Sequence, residues 1–272
     1  QTFSTTYWQK RPDLDLRIFM RVIGAMANRQ IARDIGIAPS TVDRHISRIA
    51  RHCMLFHMRM IKDIITLGPI VIDGFESFEF SQYFPTHHHL AVEAATGFVP
   101  YFTDSELRRK GRMTDYQKKR RQELEELLGR PDPKAIENDM YELMRFVIGD
   151  LPGMVVRSDD HPAYRRAIQR LDCEITHEVT SSHEHRDRDN PLWEINLLDL
   201  LIRHSGANHK RETIAWSKRR QSSAERLAIL LVWRNYMKGR REKDRSSPTP
   251  AMVRGMLQRR LTVSEVLSER IF

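Results

Sequence analysis

Ile70-Val71-Ile72-Asp73-Gly74-Phe75 is the stretch on which the reading of this chain turns. Three branched apolar residues in a row form a short buried-strand run, and it ends on a carboxylate. Leu67-Gly68-Pro69 marks a compositional break just before it. Downstream, His89-Leu90-Ala91-Val92 and Phe98-Val99-Pro100-Tyr101-Phe102 flank the turn signal Thr96-Gly97, which predicts a three-stranded antiparallel meander. Met154-Val155-Val156 reads as a fourth strand, 163–171 as a helix, and Cys173-Glu174-Ile175 as the start of a fifth strand. Between strands three and four, Met140, Leu143, Met144 and Val147 recur at helical spacing, so about 104–150 reads as a helical insertion. The pattern is helical over 13–66 and again from Trp193 nearly to Met237. Lys238 to Pro250 reads as a basic linker, and Thr262-Val263-Ser264-Glu265 has capping-box spacing for a last helix. The expected fold is therefore α/β: a mixed five-stranded sheet with flanking helices over 67–237, an all-α unit over 1–66, and a tail over 238–272.

Charge narrows the partners. Lys and Arg number 45 against 36 Asp and Glu among 272 residues, a net charge of +9. Such a balance favours a polyanionic partner, nucleic acid being the usual one. No apolar run approaches the roughly 20 residues that span a bilayer, so no membrane role is expected. Cys53 and Cys173 have no neighbours at metal-ligand spacing and read as reduced intracellular thiols. The chain starts on Gln1, which reads as a start inside a longer protein.

Residues 28–46, Asn28-Arg29-Gln30-Ile31-Ala32-Arg33-Asp34-Ile35-Gly36-Ile37-Ala38-Pro39-Ser40-Thr41-Val42-Asp43-Arg44-His45-Ile46, read as a helix-turn-helix. Ala32 is small where two helices approach, and Gly36 stands where the turn needs a permissive backbone. Ser40 is the expected cap of the second helix, with Val42, Ile46 and Ile49 as its buried stripe. Arg44, Arg48 and Arg51 share another face, suited to a major groove. Ser40, Thr41, Arg44, His45, Arg48 and Arg51 are the expected DNA contacts of this unit.

The acids carry the chemistry. Asp73 sits between an apolar run and Gly74-Phe75, where a buried carboxylate is costly unless paired or metal-bound. Asp159 follows Val155-Val156-Arg157-Ser158 and precedes His161-Pro162, at a strand end where a helix begins. An aspartate there is also an ordinary helix cap, and Asp160 is a rival for its role. Converging carboxylates hold hard divalent cations for phosphodiester chemistry.

Val71-Ile72-Asp73, Arg157-Ser158-Asp159-Asp160-His161-Pro162-Ala163-Tyr164 and the segment from Ala207-Asn208-His209-Lys210-Arg211-Glu212-Thr213 to Arg220 together resemble bacterial insertion-sequence transposases of the DDE class. The resemblance runs from about residue 3 to the end. It implies an RNase H-like core behind a helix-turn-helix. It further implies two Mg²⁺ or Mn²⁺ ions on Asp73, Asp159 and a glutamate of the helix after the fifth strand. Glu212 is the preferred glutamate: on a continuous helix it would share a face with Asn208, Trp216 and Arg219. Glu194 is the alternative. Asn208, Lys218 and Arg219 are then expected to meet DNA. The implied partners are double-stranded DNA, at element ends and target, and further copies of the chain. The implied location is the bacterial cytoplasm, at the nucleoid. A Cys-rich zinc ribbon, common ahead of the helix-turn-helix in such proteins, is not found in this sequence. A DNA-binding regulator with an inactive core and a plain RNase H-like nuclease are the other readings.

Three weaker features remain. Alternation along a strand would point His88 away from His87 and His89, which argues against one shared metal site. His183 and His185 fall in a polar loop, and the Lys118-Lys119-Arg120-Arg121 run reads as a solvated helix face.

Overall fold

A computed structural model describes residues 11–210 and 213–269. The chain opens with three helices, α1 (Asp13–Ile23), α2 (Asn28–Ile35) and α3 (Pro39–Ile61). A sheet follows: β1 (Ile70–Phe78), β2 (Pro85–Glu93) and β3 (Phe102–Glu106), then α4 (Asp115–Leu128) and α5 (Ala135–Ile148). β4 (Met154–Asp159), α6 (Pro162–Gln169) and β5 (Ile175–Thr180) complete it. α7 (Trp193–Ser205), α8 (Arg220–Tyr236), α9 (Pro250–Val253) and α10 (Val263–Ser268) close the chain.

The expected mixed α/β architecture is present. The strands lie in the order β3-β2-β1-β4-β5. β1, β2 and β3 are antiparallel neighbours, while β4 runs parallel to β1 and β5 parallel to β4. Side-chain alternation splits β1 between two cores. Ile70 and Ile72 bury against Met140, Leu143 and Met144 of α5 and Tyr164 and Ala167 of α6. Val71 and Phe75 bury against Ile195, Leu198 and Ile202 of α7 and Leu227, Leu230 and Leu231 of α8. Asp73 stands between Val71 and Phe75 on that second side.

A third core joins the two ends of the chain. Leu14, Ile18, Phe19, Ile31, Val42, Ile46 and Ile49 of α1–α3 pack with Ile229, Val232 and Tyr236 of α8, Ala251 of α9 and Val266 of α10. α8 is buried on both sides, one flank in each core. Polar ties reinforce it: Ser47 Oγ donates to Glu225 Oε2 at 2.8 Å, and Arg226 donates to the Met26 carbonyl at 2.9 Å. Among the described residues no helix is long and apolar enough to cross a membrane.

Several local expectations are corrected. The run Phe98 to Phe102 is not a strand before Phe102, although Phe98 and Val99 are buried. Its main chain bonds to a side chain instead: the Asn235 amide accepts from Val99 N at 3.0 Å and donates to Val99 O at 2.8 Å. The helix expected from Trp193 to Met237 is two helices. It ends at Gly206, whose N–H bonds Ile202 O, and a β-carbon there would press within 2.8 Å of both the His209 ring and the Ile202 carbonyl. Ser40 does not cap α3; Ala38 is the cap residue and Pro39 fills the first turn, where its missing N–H costs nothing. The segment read as a linker folds back on itself. Arg240 N bonds Pro248 O at 3.0 Å, Arg241 N bonds Ser247 Oγ at 2.9 Å, and Ser247 and Thr249 are buried.

Candidate active site

The parallel pairing of β1 and β4 builds the site. Ile70 pairs with Val156 and Val71 with Arg157, an offset of 86 residues. Two residues further along each strand stand Asp73, within β1, and Asp159, the last residue of β4, near enough for the charge of Asp159 to act on Asp73. Each is half-buried. Asp73 Oδ1 accepts from the Gly74 N–H at 2.7 Å. Burial pushes the Asp73 carboxyl up to about 7, and the nearby charges of Asp159 and Asp199 push it the same way, while the Gly74 N–H and Arg186 oppose this. The Tyr164 hydroxyl lies near Asp73, and its proton is held well above the usual range by burial first and by the charges of Asp73 and Asp159 second.

The rivalry around Asp159 resolves locally. His161 is the cap of α6, its ring accepting from Ala163 N at 3.3 Å. Asp159 Oδ1 instead accepts from His161 N at 3.0 Å, in the turn between β4 and α6. Asp160 is exposed, at 3.5 Å from the Ser182 hydroxyl.

The third acid is less simple. Glu212 lies outside the described residues. The helical face argued for it is not there, because its neighbours 206–210 and 213–219 are not helical. Asn208 is buried, its amide donating to Ser217 Oγ at 2.9 Å. Lys218 lies over the Trp216 ring at 4.4 Å, and Arg219 is exposed just ahead of α8. Glu194 is committed elsewhere: it pairs with Arg240 at 3.2 Å beside the Gly97 turn, at the opposite end of β1 from Phe75.

Asp199 is a further acid near Asp73 that the sequence reading did not weigh. It lies on the sheet-facing stripe of α7, four residues past Ile195 and three before Ile202. Its Oδ2 accepts from Arg203 Nε at 3.0 Å, and the Arg203 guanidinium lies over the Phe75 ring at 5.4 Å. Its Oδ1 is buried with no partner among the described residues. The available signal was a carboxylate at an apolar-stripe position with an arginine one turn on. Beside it, a cleft of about 240 Å³ is lined by Glu76, Phe78, Arg203, Asn208, His209 and Lys210.

The histidine run divides as alternation requires. His87 and His89 share one side, their Nδ1 atoms 3.1 Å apart, with His89 Nε2 against Ser105 Oγ at 2.6 Å. His88 faces the other way, toward Phe75, His209 and Ser223. The His87 ring covers Gly74, where a β-carbon would come within 2.3 Å of it; Gly74 is required by that contact.

In the N-terminal helices, Gly36 takes the left-handed conformation at φ 78° between α2 and α3, as the turn demands. Ser40, Arg44 and Arg51 are exposed, and Thr41 and Arg48 half-exposed. His45 is not on that face: its ring is buried, bonded to Asp15 at 2.6 Å where α3 meets α1. On α4, Lys118 and Arg120 pair with Asp115 and Glu123 along a solvated face, and α4 buries no residue.

Among the described residues no three His, Cys, Asp or Glu side chains already close into a metal-binding group. The donors nonetheless suit a hard cation. They are all carboxylate oxygens, one is an orphaned buried atom, and another is pushed toward protonation by burial first and by its like-charged neighbours second. Compared with known proteins, the chain matches no family model, and no curated protein matches it either.

Proposed function

We propose that this chain is a DDE-type transposase, with an RNase H-like catalytic core and a helix-turn-helix formed by α2, the turn at Gly36 and α3. The observation that carries the reading is that parallel β1 and β4, paired through Ile70–Val156 and Val71–Arg157, bring Asp73 within β1 and Asp159 at the end of β4 into electrostatic range of one another. Two like charges placed together on a rigid sheet are unfavourable without a cation, and such sites are where function is expected. The strand order, with a three-stranded meander continued by two parallel strands, supports the RNase H-like assignment.

Mg²⁺ or Mn²⁺ bound there would activate an attacking oxygen and stabilise the leaving one. The chain's own residues do the rest. Asp73 and Asp159 orient the cation by their fixed strand positions. The Gly74 N–H fixes the Asp73 carboxylate. Arg186 and Lys218, near the acids and on the following loop, offer positive charge to a DNA backbone. Arg44, Arg48 and Arg51 grip phosphate or guanine edges in a duplex. The reaction would be end cleavage by water, followed by attack of the freed 3′-hydroxyl on target DNA. Pairing two ends calls for two or more copies of the chain.

The test is Mg²⁺-dependent nicking and joining of an end-containing duplex. Activity lost in Asp73→Asn with DNA binding intact supports the reading. Nicking without joining would make the chain a plain nuclease, and binding without nicking a regulator.

A further inference from the structure

We propose that three adjoining clefts beside the end of β1 form one basic trough that takes a single, unpaired nucleic-acid strand, with Phe80 as the platform on which one of its bases stacks. Strand binding of this kind needs no cation, so it stands whether or not Asp73 and Asp159 hold one.

The clefts share their walls. The first, of about 240 Å³, lies between the end of β1 and the cations Arg203 and Lys210. The second, of about 420 Å³, shares Glu76, Ser77 and Phe78 with it and reaches the 107–111 segment. The third, of about 340 Å³, shares that segment with the second and runs on to Arg121 and Arg130. Cations dominate the lining. Arg108, Arg109 and Lys110 stand against Glu76 in the second cleft, and the third adds Arg121 and Arg130 against Asp132. Arg108 and Arg121 are paired with Glu125 of α4. Lys110 and Arg130 are exposed and form no ion pair among the described residues. The 107–111 segment is firmly held. Leu107 N bonds Pro85 O at 2.8 Å, the Arg121 guanidinium donates to the Arg109 carbonyl at 3.2 Å, and the Arg109 guanidinium lies over the Tyr83 ring at 4.8 Å. Fixed cations spaced along a groove are the counterpart of a phosphate backbone.

The aromatic side selects an unpaired strand over a duplex. Phe78, in the wall shared by the first two clefts, has its ring 5.9 Å from that of Trp216. Lys218 Nζ lies 4.4 Å from the centre of the Trp216 ring and 5.8 Å from that of Phe80. Phe80 is 62% exposed and holds φ at 56°, a left-handed conformation that bulky side chains rarely adopt. Its N–H donates to the Ser217 carbonyl at 3.0 Å, which ties the turn between β1 and β2 to the segment bearing Trp216 and Lys218. Folding alone gains little from a ring that is both strained and left in water. A nucleobase laid on that ring covers it, with Lys218 beside the phosphate. Bases inside a duplex already have both faces stacked, so only an unpaired base can use the platform.

The experiment is fluorescence anisotropy of the whole chain, in EDTA, with labelled oligothymidylate and oligouridylate of about 15 nucleotides and a duplex of the same length. Wild type is expected to bind a single strand. Phe80→Ala should bind it roughly fivefold or more weakly, as the loss of one base stack requires, while its duplex binding is unchanged and Phe80→Tyr stays close to wild type. Replacing Arg109 and Lys110 by alanine should lower the salt slope for single strands by about 0.7 per lost contact. Phe80→Gly, which relieves the left-handed backbone, should melt no lower than wild type and still lose the strand. No single-strand binding by wild type, undiminished binding by Phe80→Ala, or an equal loss of strand and duplex overturns the trough. A preference for oligothymidylate assigns the strand to DNA and one for oligouridylate to RNA, and both support it. Photo-crosslinking of a bromodeoxyuridine strand to wild type needs no variant. Attachment within 78–84 or 213–219 supports the platform; attachment confined to α3 overturns it. Failure of the Mg²⁺-dependent nicking assay would remove the transposase reading and leave these outcomes untouched.

Discussion

Histidines 45, 52 and 57 in the helical core are as buried as His88 and His209 beside α7, yet the two groups are served differently. In the helical core each ring is tied down. His45 meets Asp15, His52 meets the Val266 carbonyl at 2.6 Å, and His57 meets Tyr236 Oη at 2.8 Å and the Pro100 carbonyl at 2.7 Å. Beside α7, His88 and His209 each keep one nitrogen, Nδ1, without a partner among the described residues, as do Asp199 Oδ1, Asn208 Oδ1 and Trp216 Nε1. The helical core satisfies these three rings internally, although Arg226, which reaches it from α8, also keeps one nitrogen without a partner among the described residues. On the proposed function, a cation and a phosphate would supply partners on the α7 side, and the contrast would separate residues kept for folding from residues kept for a partner.

The sharpest way to break that contrast is Asp73→Asn. Nicking should fall at least about 10³-fold, a loss of the size seen when a main electrostatic stabiliser is removed, with the melting temperature unchanged or raised. Single-turnover assay and thermal melting read both; a lower melting temperature with retained nicking would invert the assignment of roles. On the other side, Ile18→Ala in α1 opens a cavity in a fully buried position and should cost about 2–5 kcal/mol. Because α8 belongs to both cores, denaturant melts of this variant should shift as one transition. Two separate transitions would show that the units fold apart.

Acid probes the same contrast through His57. Burial pulls its pKa from 6.5 to about 4, against the raising effect of its bond to the Pro100 carbonyl. The unfolded chain therefore takes up this proton first. Stability is fully present above pH 6.5, declines as pH falls toward 4, and levels off below that. The loss from this one group is roughly 3 kcal/mol at about 1.4 kcal/mol per unit. His57→Gln should be less stable at pH 7 and show a shallower acid limb in melts from pH 7 to 4. The smallest effect belongs to the exposed basic face of α3. Arg44→Ala should weaken duplex binding by about 1–3 kcal/mol if Arg44 reads a base. If it grips phosphate, the salt slope should drop by about 0.9. Salt-dependent binding titrations distinguish the two, and neither outcome should alter metal affinity.

Much of the sheet was legible because its strands are short apolar runs in a fixed order, and Asp73 was legible because it interrupts one. The misreadings share a cause: tertiary contacts overrode local pattern. Phe98 and Val99 look like a strand, but α8 lends Asn235 in place of a neighbouring strand. The stretch after Ser205 looks helical, but Gly206 lets His209 fold back against α7. Asp199 was overlooked because an aspartate within a leucine-rich helix reads as one more charge on an amphipathic surface. Only the packing of α7 onto β1 shows that its flank is an inner one. Glu194, by contrast, was weighed as a glutamate of the helix after the fifth strand, and a pair of arginines distant in sequence, Arg234 and Arg240, already surrounds it.

The burial of α8 on both flanks has a geometric consequence. It is a rod of 17 residues, about 26 Å long at 1.5 Å per residue, wedged between the α1–α3 unit and the sheet. On the proposed reading, the groove-reading arginines and the cutting acids are therefore mounted on one caliper. The number of base pairs between the recognised sequence and the cut is set by how that rod is seated. Lengthening the 62–69 connection would leave the spacing unchanged, whereas trimming Leu230 or Ile229 to alanine would make the cut position imprecise.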